Sequence, residues 1–199
     1  MQKLSLRSEL MQAPCSPLKE KRFEPDGSNL PLVVQQLRRD EHAFKSWLEH
    51  LQTVLPIRDV EVIEREEDKH TCLRVSYDTG LQAPSWHVSE GTLRMMALTI
   101  LPYLPAEATV YLVEEPENGI HPQAVEAVFQ SLSSVYEGQV LVATHSPVLV
   151  GLIKPDQLLC FSKTAEGETD IVRGDRHPKL RQWQGEFRLA QLFAAGVLS

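Results

Sequence analysis

Between residues 30 and 54 the apolar positions recur at helical spacing. Leu30 to Leu37 and Glu41 to Val54 read as helices, and in the second Phe44, Trp47, Leu48 and Leu51 form one apolar face. Asp26-Gly27-Ser28-Asn29 ahead of them carries turn and N-cap chemistry. Residues 1–28 hold several prolines and mixed charges without periodicity, and read as an irregular lead-in. The period then changes to two. Asp59 to Arg65 and Thr71 to Tyr77 alternate polar and apolar side chains, as antiparallel strands with one wet face do, around a solvated tip at residues 66–69.

After a loop at residues 78–88 the pattern predicts a helix over 89–103, a strand over 109–113, a helix over 121–136 and a strand over 139–144. Short apolar strands separated by a helix mark a parallel α/β unit. Residues 157–162 and 169–173 read as two further strands closing that sheet. Lys179 to Leu198 reads as a docking helix anchored by Trp183, Phe187 and Phe193. The fold class that follows is α/β: a mainly parallel sheet flanked by helices, with a helical insertion and a small antiparallel element. The expected divisions are a lead-in at 1–28, an insertion with antiparallel strands at 29–88, an α/β lobe at 89–178 and a docking helix at 179–199.

Composition narrows the class. With 199 residues, 42% hydrophobic and 24% charged, the chain reads as a soluble globular domain or part of a larger one. No apolar run approaches the roughly 20 residues that span a bilayer, and the first residues lack the apolar core of a secretory signal. Cys15, Cys72 and Cys160 are scattered and odd in number, as reduced cytoplasmic thiols are. A net charge of -7 argues against a free-standing nucleic-acid binder.

Three stretches carry candidate chemistry. "VYLVEEPENGIHP", Val110 to Pro122, runs an apolar strand into Glu114 and Glu115. At the carboxyl end of a parallel strand, where open α/β sheets bind ligands, one carboxylate can hold Mg²⁺ while its neighbour orients or deprotonates a water. The same residues also suit a solvated acidic turn. "ATHSP", Ala143 to Pro147, ends the next strand on His145, which can reach a phosphate or a catalytic water, or serve as a structural strand-end histidine. "SEGTLRMMAL", Ser89 to Leu98, opens a helix with Ser-x-Gly, an arrangement for anions and equally a plain helix cap.

Taken in order, the Ser-x-Gly-Thr helix, the strand ending Glu-Glu-Pro-Glu, the His-Pro helix and the strand ending Thr-His-Ser-Pro resemble the C-terminal half of ABC-type ATPases. Among these the chain is most similar to the bacterial stand-alone ATPases of the RecF/OLD-like group. The resemblance covers residues 24–199 and includes "PDGSNL", Pro25 to Leu30, which in that group precedes a helical insertion. It implies that Ser89 and Gly91 belong to the signature motif contacting ATP on an opposing subunit. It implies that Glu114 is the Mg²⁺-associated Walker B carboxylate and Glu115 the catalytic glutamate. Asn118 to Pro122 would form the D-loop that touches the partner, and His145 the switch histidine.

The family's phosphate-binding P-loop, G-x-x-x-x-G-K-[ST], has no match, and no Gly-Lys pair occurs in the chain. The glutamine loop has no clear counterpart either. The sequence thus reads as the back half of an ATPase using ATP and Mg²⁺, acting as a homo-oligomer or with a partner chain that carries the Walker A half. Nucleic acid would enter only through the assembled complex, and membrane not at all. No Toprim-like acidic cluster follows His145, so an attached nuclease is not expected. Two other readings stand: a catalytically inactive scaffold or regulatory module, and a metal hydrolase using Glu114, Glu115, His121 and His145.

Overall fold

A computed structural model describes residues 1–105, 109–181 and 189–194. The chain divides into two compact units, 1–143 and 144–199. The division falls inside the expected 89–178 lobe.

The first unit contains two sheets. One is parallel, in the order β1-β5-β6, formed by β1 (Gln2–Leu4), β5 (Val110–Glu114) and β6 (Gln139–Ala143). The other is antiparallel, in the order β2-β3-β4, formed by β2 (Ile57–Glu64), β3 (Thr71–Tyr77) and β4 (Gln82–Pro84). Between and around them lie helices α1 (Ser8–Gln12), α2 (Leu30–Leu37), α3 (Glu41–Gln52), α4 (Glu90–Thr99) and α5 (Val125–Ser133). The mainly parallel α/β lobe, the helical insertion and the antiparallel element are all present.

The lead-in is not irregular. β1 pairs in parallel register with β5, Lys3 opposite Leu112 and Leu4 opposite Val113. Three residues are too few to display a period of two, and their order comes from hydrogen bonds to a strand more than a hundred residues away. Met11, Cys15 and Phe23 from the same stretch are buried. The "PDGSNL" turn is organised by Asn29, which is fully buried. Its Oδ1 accepts from the Glu24 backbone N–H at 2.9 Å, and its Nδ2 donates to the carbonyls of Glu20 and Arg22 at 2.8 and 2.6 Å. One side chain thereby satisfies three backbone groups of a loop that has no ladder of its own.

Two predicted helices are shorter than their patterns. The helix from Ser89 ends as α4 at Thr99, giving way to a 3₁₀ turn at Leu101–Tyr103 that contains Pro102. The helix from His121 begins as a 3₁₀ turn at Pro122–Ala124 before α5 proper. Proline supplies no amide for a continuing helical ladder but suits a first turn.

The core of the unit is centred on α4, whose Leu93, Met95, Met96, Ala97 and Leu98 are buried. α3 docks on it through Trp47, whose indole N–H donates to Thr99 Oγ1 at 3.1 Å. α3 also reaches α5, where His50 Nδ1 lies 3.1 Å from Ser131 Oγ. Burial pushes the His50 imidazole below its ordinary range, outweighing a hydrogen bond to the Ala127 backbone that favours the charged form. A depressed histidine pKa makes the folded state prefer the neutral ring. Its stabilising contribution is therefore complete above the unfolded value of about 6.5 and declines as pH falls through that value toward the lower folded one. The melting temperature should drop on acidification from pH 7 to 5, and His50→Gln should flatten that part of the profile. An unchanged profile in the variant would assign the acid sensitivity elsewhere.

In the second unit, β7 (Leu159–Lys163) and β8 (Thr169–Arg173) pair only with each other among the described residues, as an antiparallel hairpin. They do not close the parallel sheet as expected: alternation identifies a strand but not its neighbour. Helices α6 (Pro147–Leu152), α7 (Pro178–Arg181) and α8 (Leu189–Ala194) complete the unit. A Cβ at Gly151 would lie 3.1 Å from Ala190 Cβ, so α6 and α8 pack closely there. Of the expected tail anchors, Phe193 is half-buried on α8, while Trp183 and Phe187 lie outside the described residues.

Candidate functional site

β5 delivers its carboxylates to the carboxyl end of the parallel sheet, alongside the end of β1. There a cleft of about 280 Å³ is lined by Leu4, Ser5, Leu6, Arg94, Val113 and Glu114, among others. Glu114 is the last residue of β5 and is exposed. Its Oε1 lies 2.9 Å from Lys3 Nζ, a cation that β1 brings to the site. Both side chains are more than half exposed, so the pair is held weakly.

Glu115 leaves the strand with φ of +44°, in the left-handed region that a non-glycine residue occupies at a cost of roughly 1–2 kcal/mol. Three hydrogen bonds offset that cost. The Glu115 N–H donates to the Ala143 carbonyl of β6 at 2.7 Å, and the Asn118 N–H donates to the Glu115 carbonyl at 3.0 Å. The Asn118 side-chain amide donates to Glu115 Oε2. The adjacent carboxylates are thus separated by the backbone reversal: Glu114 pairs with Lys3 and Glu115 with Asn118.

The loop continues through Gly119, with φ of +73°, and Ile120, which is buried. His121 caps the following 3₁₀ turn, its Nδ1 accepting from the Gln123 N–H at 3.3 Å. Ser89 caps α4, its Oγ accepting from the Thr92 N–H at 3.2 Å. Gly91 has a different role. A Cβ there would lie 2.4 Å from the Gly119 carbonyl oxygen, so only glycine allows the helix to sit this close to the carboxylate loop. Ser89, Gly91, Glu114, Glu115 and Asn118 all belong to the first unit. His145 belongs to the second and is exposed, two residues beyond β6, next to a short turn in which the Ser146 N–H donates to Thr144 Oγ1 at 2.9 Å.

Two residues at this edge escaped sequence reasoning. Lys3 carries no signal because its place depends on β1 pairing with β5. Arg94 does carry one: it lies three residues after Gly91 and shares its helix face.

The chain belongs to the family described as "AAA domain, putative AbiEii toxin, Type IV TA system", whose profile matches residues 11–151. It is an ABC-type, P-loop ATPase-like chain. Among solved structures, its fold is similar to the Smc head domain with a coiled coil and joint derived from Pyrococcus yayanosii. The TM-score is 0.55 and the identity 17% over 87% of this chain, which spans 32% of that chain's length. A search of curated proteins returned no match. No helix among the described residues is long and apolar enough to cross a membrane.

The family's nucleotide and metal can be weighed against the residues present. Among the described residues no three His, Cys, Asp or Glu side chains group to hold a metal by themselves. Mg²⁺ in nucleotide sites needs only one or two carboxylates beside substrate phosphates and water, which the exposed Glu114 carboxylate fits.

Proposed function

We propose that this chain supplies the signature, Walker B and D-loop portion of an ABC-type ATP-hydrolysing site in the cytoplasm, and that the phosphate-binding loop comes from elsewhere in an assembled complex. The observation that carries this reading is the placement of Glu114 and Glu115 at the carboxyl end of a parallel strand, with Gly91 seated on the loop that follows. In this reading Glu114 holds Mg²⁺, which when bound neutralises developing charge on the phosphates. Glu115 orients and deprotonates the attacking water, and His145 answers to the γ-phosphate. Ser89, Gly91 and Asn118 face nucleotide held by the opposing subunit.

The outer edge of β6 supports the need for a partner. It has no strand neighbour among the described residues, and Leu141 and Val142 on it are 41% and 39% exposed. Free edges with apolar side chains invite strand addition. A homo-oligomer or a partner chain bearing a P-loop strand and helix fits this edge, and nucleic acid would be engaged only by the assembly.

The isolated chain should bind ATP with a dissociation constant weaker than about 1 mM, corresponding to less than about 4 kcal/mol, because its sequence has no G-x-x-x-x-G-K-[ST] loop and no Gly-Lys pair. Addition of a polypeptide carrying a P-loop strand–helix unit should tighten binding and produce Mg²⁺-dependent turnover. Calorimetric titration of ATP decides the first point: micromolar binding by the chain alone sinks the divided-site reading. The second reading, an inactive scaffold, is favoured by the internal partners that already occupy both carboxylates. It predicts that the same complementation yields a complex without turnover.

A further inference from the structure

We infer that Arg94 is a positioning residue that ties the Ser89 helix to the carboxylate loop and to the exit of β1, so that movement of one is passed to the others. Three contacts support this. Arg94 and Gly91 stand three residues apart on one face of α4, and both lie beside Gly119. Gly91 approaches its carbonyl, while a Cβ built on Gly119 would lie 3.5 Å from Arg94 Cδ, placing the arginine stem over the loop. Beyond the loop, Arg94 Nη1 donates to the Leu6 carbonyl at 3.3 Å. The residues on either side of Leu6 are themselves anchored, Ser5 N–H to the Pro25 carbonyl at 2.8 Å and Arg7 N–H to the Asp26 carbonyl at 3.0 Å. One side chain therefore connects α4, the 115–120 loop and, through residues 5–7, the turn ahead of the helical insertion.

The arginine is not built as a fully satisfied structural group. Its Nε is buried and has no hydrogen-bond partner among the described residues, beside the cleft that Arg94 lines with Glu114. Buried donors are nearly always paired, so an unpaired one calls for an explanation. Here the Nη1 bond to the Leu6 carbonyl holds the head, with the stem beside Gly119 and Nε left as the spare donor. Discrete, packed contacts of this kind shift as a unit rather than deforming continuously. The linkage holds whatever chemistry occupies the edge, and so stands apart from the ATPase reading.

Transmission distinguishes this role from a merely structural one. Asn118→Ala disturbs the loop by removing the amide held on Glu115, and Gly91→Ala disturbs it more strongly from the helix side. In the full chain with Arg94 present, either substitution should shift the backbone amide resonances of Ser5, Leu6 and Arg7, which among the described residues share no hydrogen bond with either altered position. In an Arg94→Met background the same substitutions should still shift residues near the loop, with the residue 5–7 shifts reduced at least threefold. Arg94→Lys, which keeps a stem and a donor, should restore part of the transmitted shift. Equal shifts at residues 5–7 in both backgrounds overturn the inference, as does their absence when Arg94 is intact. Should Gly91→Ala fail to fold, the Asn118→Ala comparison decides alone.

Discussion

Glu115→Gln is expected to lower turnover of the complemented ATPase by about 10²–10⁴-fold, the usual contribution of a positioned general base, while leaving nucleotide affinity intact. The substitution isolates chemistry from structure. A glutamine oxygen still accepts the hydrogen bond from the Asn118 amide that Glu115 Oε2 accepts now. The two backbone hydrogen bonds that hold residue 115 at φ +44° do not involve its side chain. What is lost is a group able to take a proton from water. Glu114→Gln should act differently, weakening Mg²⁺ dependence, because that carboxylate is exposed and held by a single weak ion pair with Lys3. Steady-state hydrolysis measured with saturating ATP separates the two. A Glu115→Gln complex retaining more than about a third of wild-type turnover excludes Glu115 as the base.

Trp47→Ala should be the most destabilising single truncation, costing about 3–5 kcal/mol as large aromatic deletions in cores do. Trp47 is fully buried, tilts against Phe44 at 5.9 Å between ring centroids, and joins α3 to α4 through Thr99. Its removal leaves a cavity between the helical insertion and the helix that carries Ser89 and Gly91. Trp47→Phe should cost less, about 1–2 kcal/mol, because Thr99 Oγ1 keeps its own bond to the Met95 carbonyl at 2.8 Å and is not stranded. Urea denaturation followed by circular dichroism gives both values. A loss below about 1 kcal/mol for the alanine variant would mean that α3 is not seated on α4 as described.

The position of the edge residues is legible in the sequence because they are contiguous. Glu114 and Glu115 follow an apolar strand directly, and Ser89 and Gly91 open a helix. Each signal reads from local period and turn chemistry. The function of Gly91 was less legible. Its sequence context points equally to an anion site and a helix cap, and only the Gly119 carbonyl at 2.4 Å from its missing Cβ shows why a side chain cannot stand there.

What did not show locally depends on pairing across long sequence separations. β1 is three residues long and polar enough to pass for a loop, yet it lies in register with Tyr111, Leu112 and Val113. β7 and β8 have the right alternation for strands, but alternation cannot say whether they join the parallel sheet or each other. Lys3 and Arg94 acquire their places beside Glu114 only once those pairings and the packing of α4 exist.

The sequence by itself determined the helices and strands between Leu30 and Tyr77 and between Ser89 and Ala143, the α/β class and the carboxylates at a strand end, because hydrophobic period, proline position and turn residues act within a few residues. The tertiary structure alone decided that β1 completes the edge, that Asn118 holds Glu115 in a left-handed turn, and that Arg94 reaches the Leu6 carbonyl beyond β1. These depend on which surfaces meet, and burial and hydrogen bonding between distant segments select that arrangement from the many that the local preferences allow.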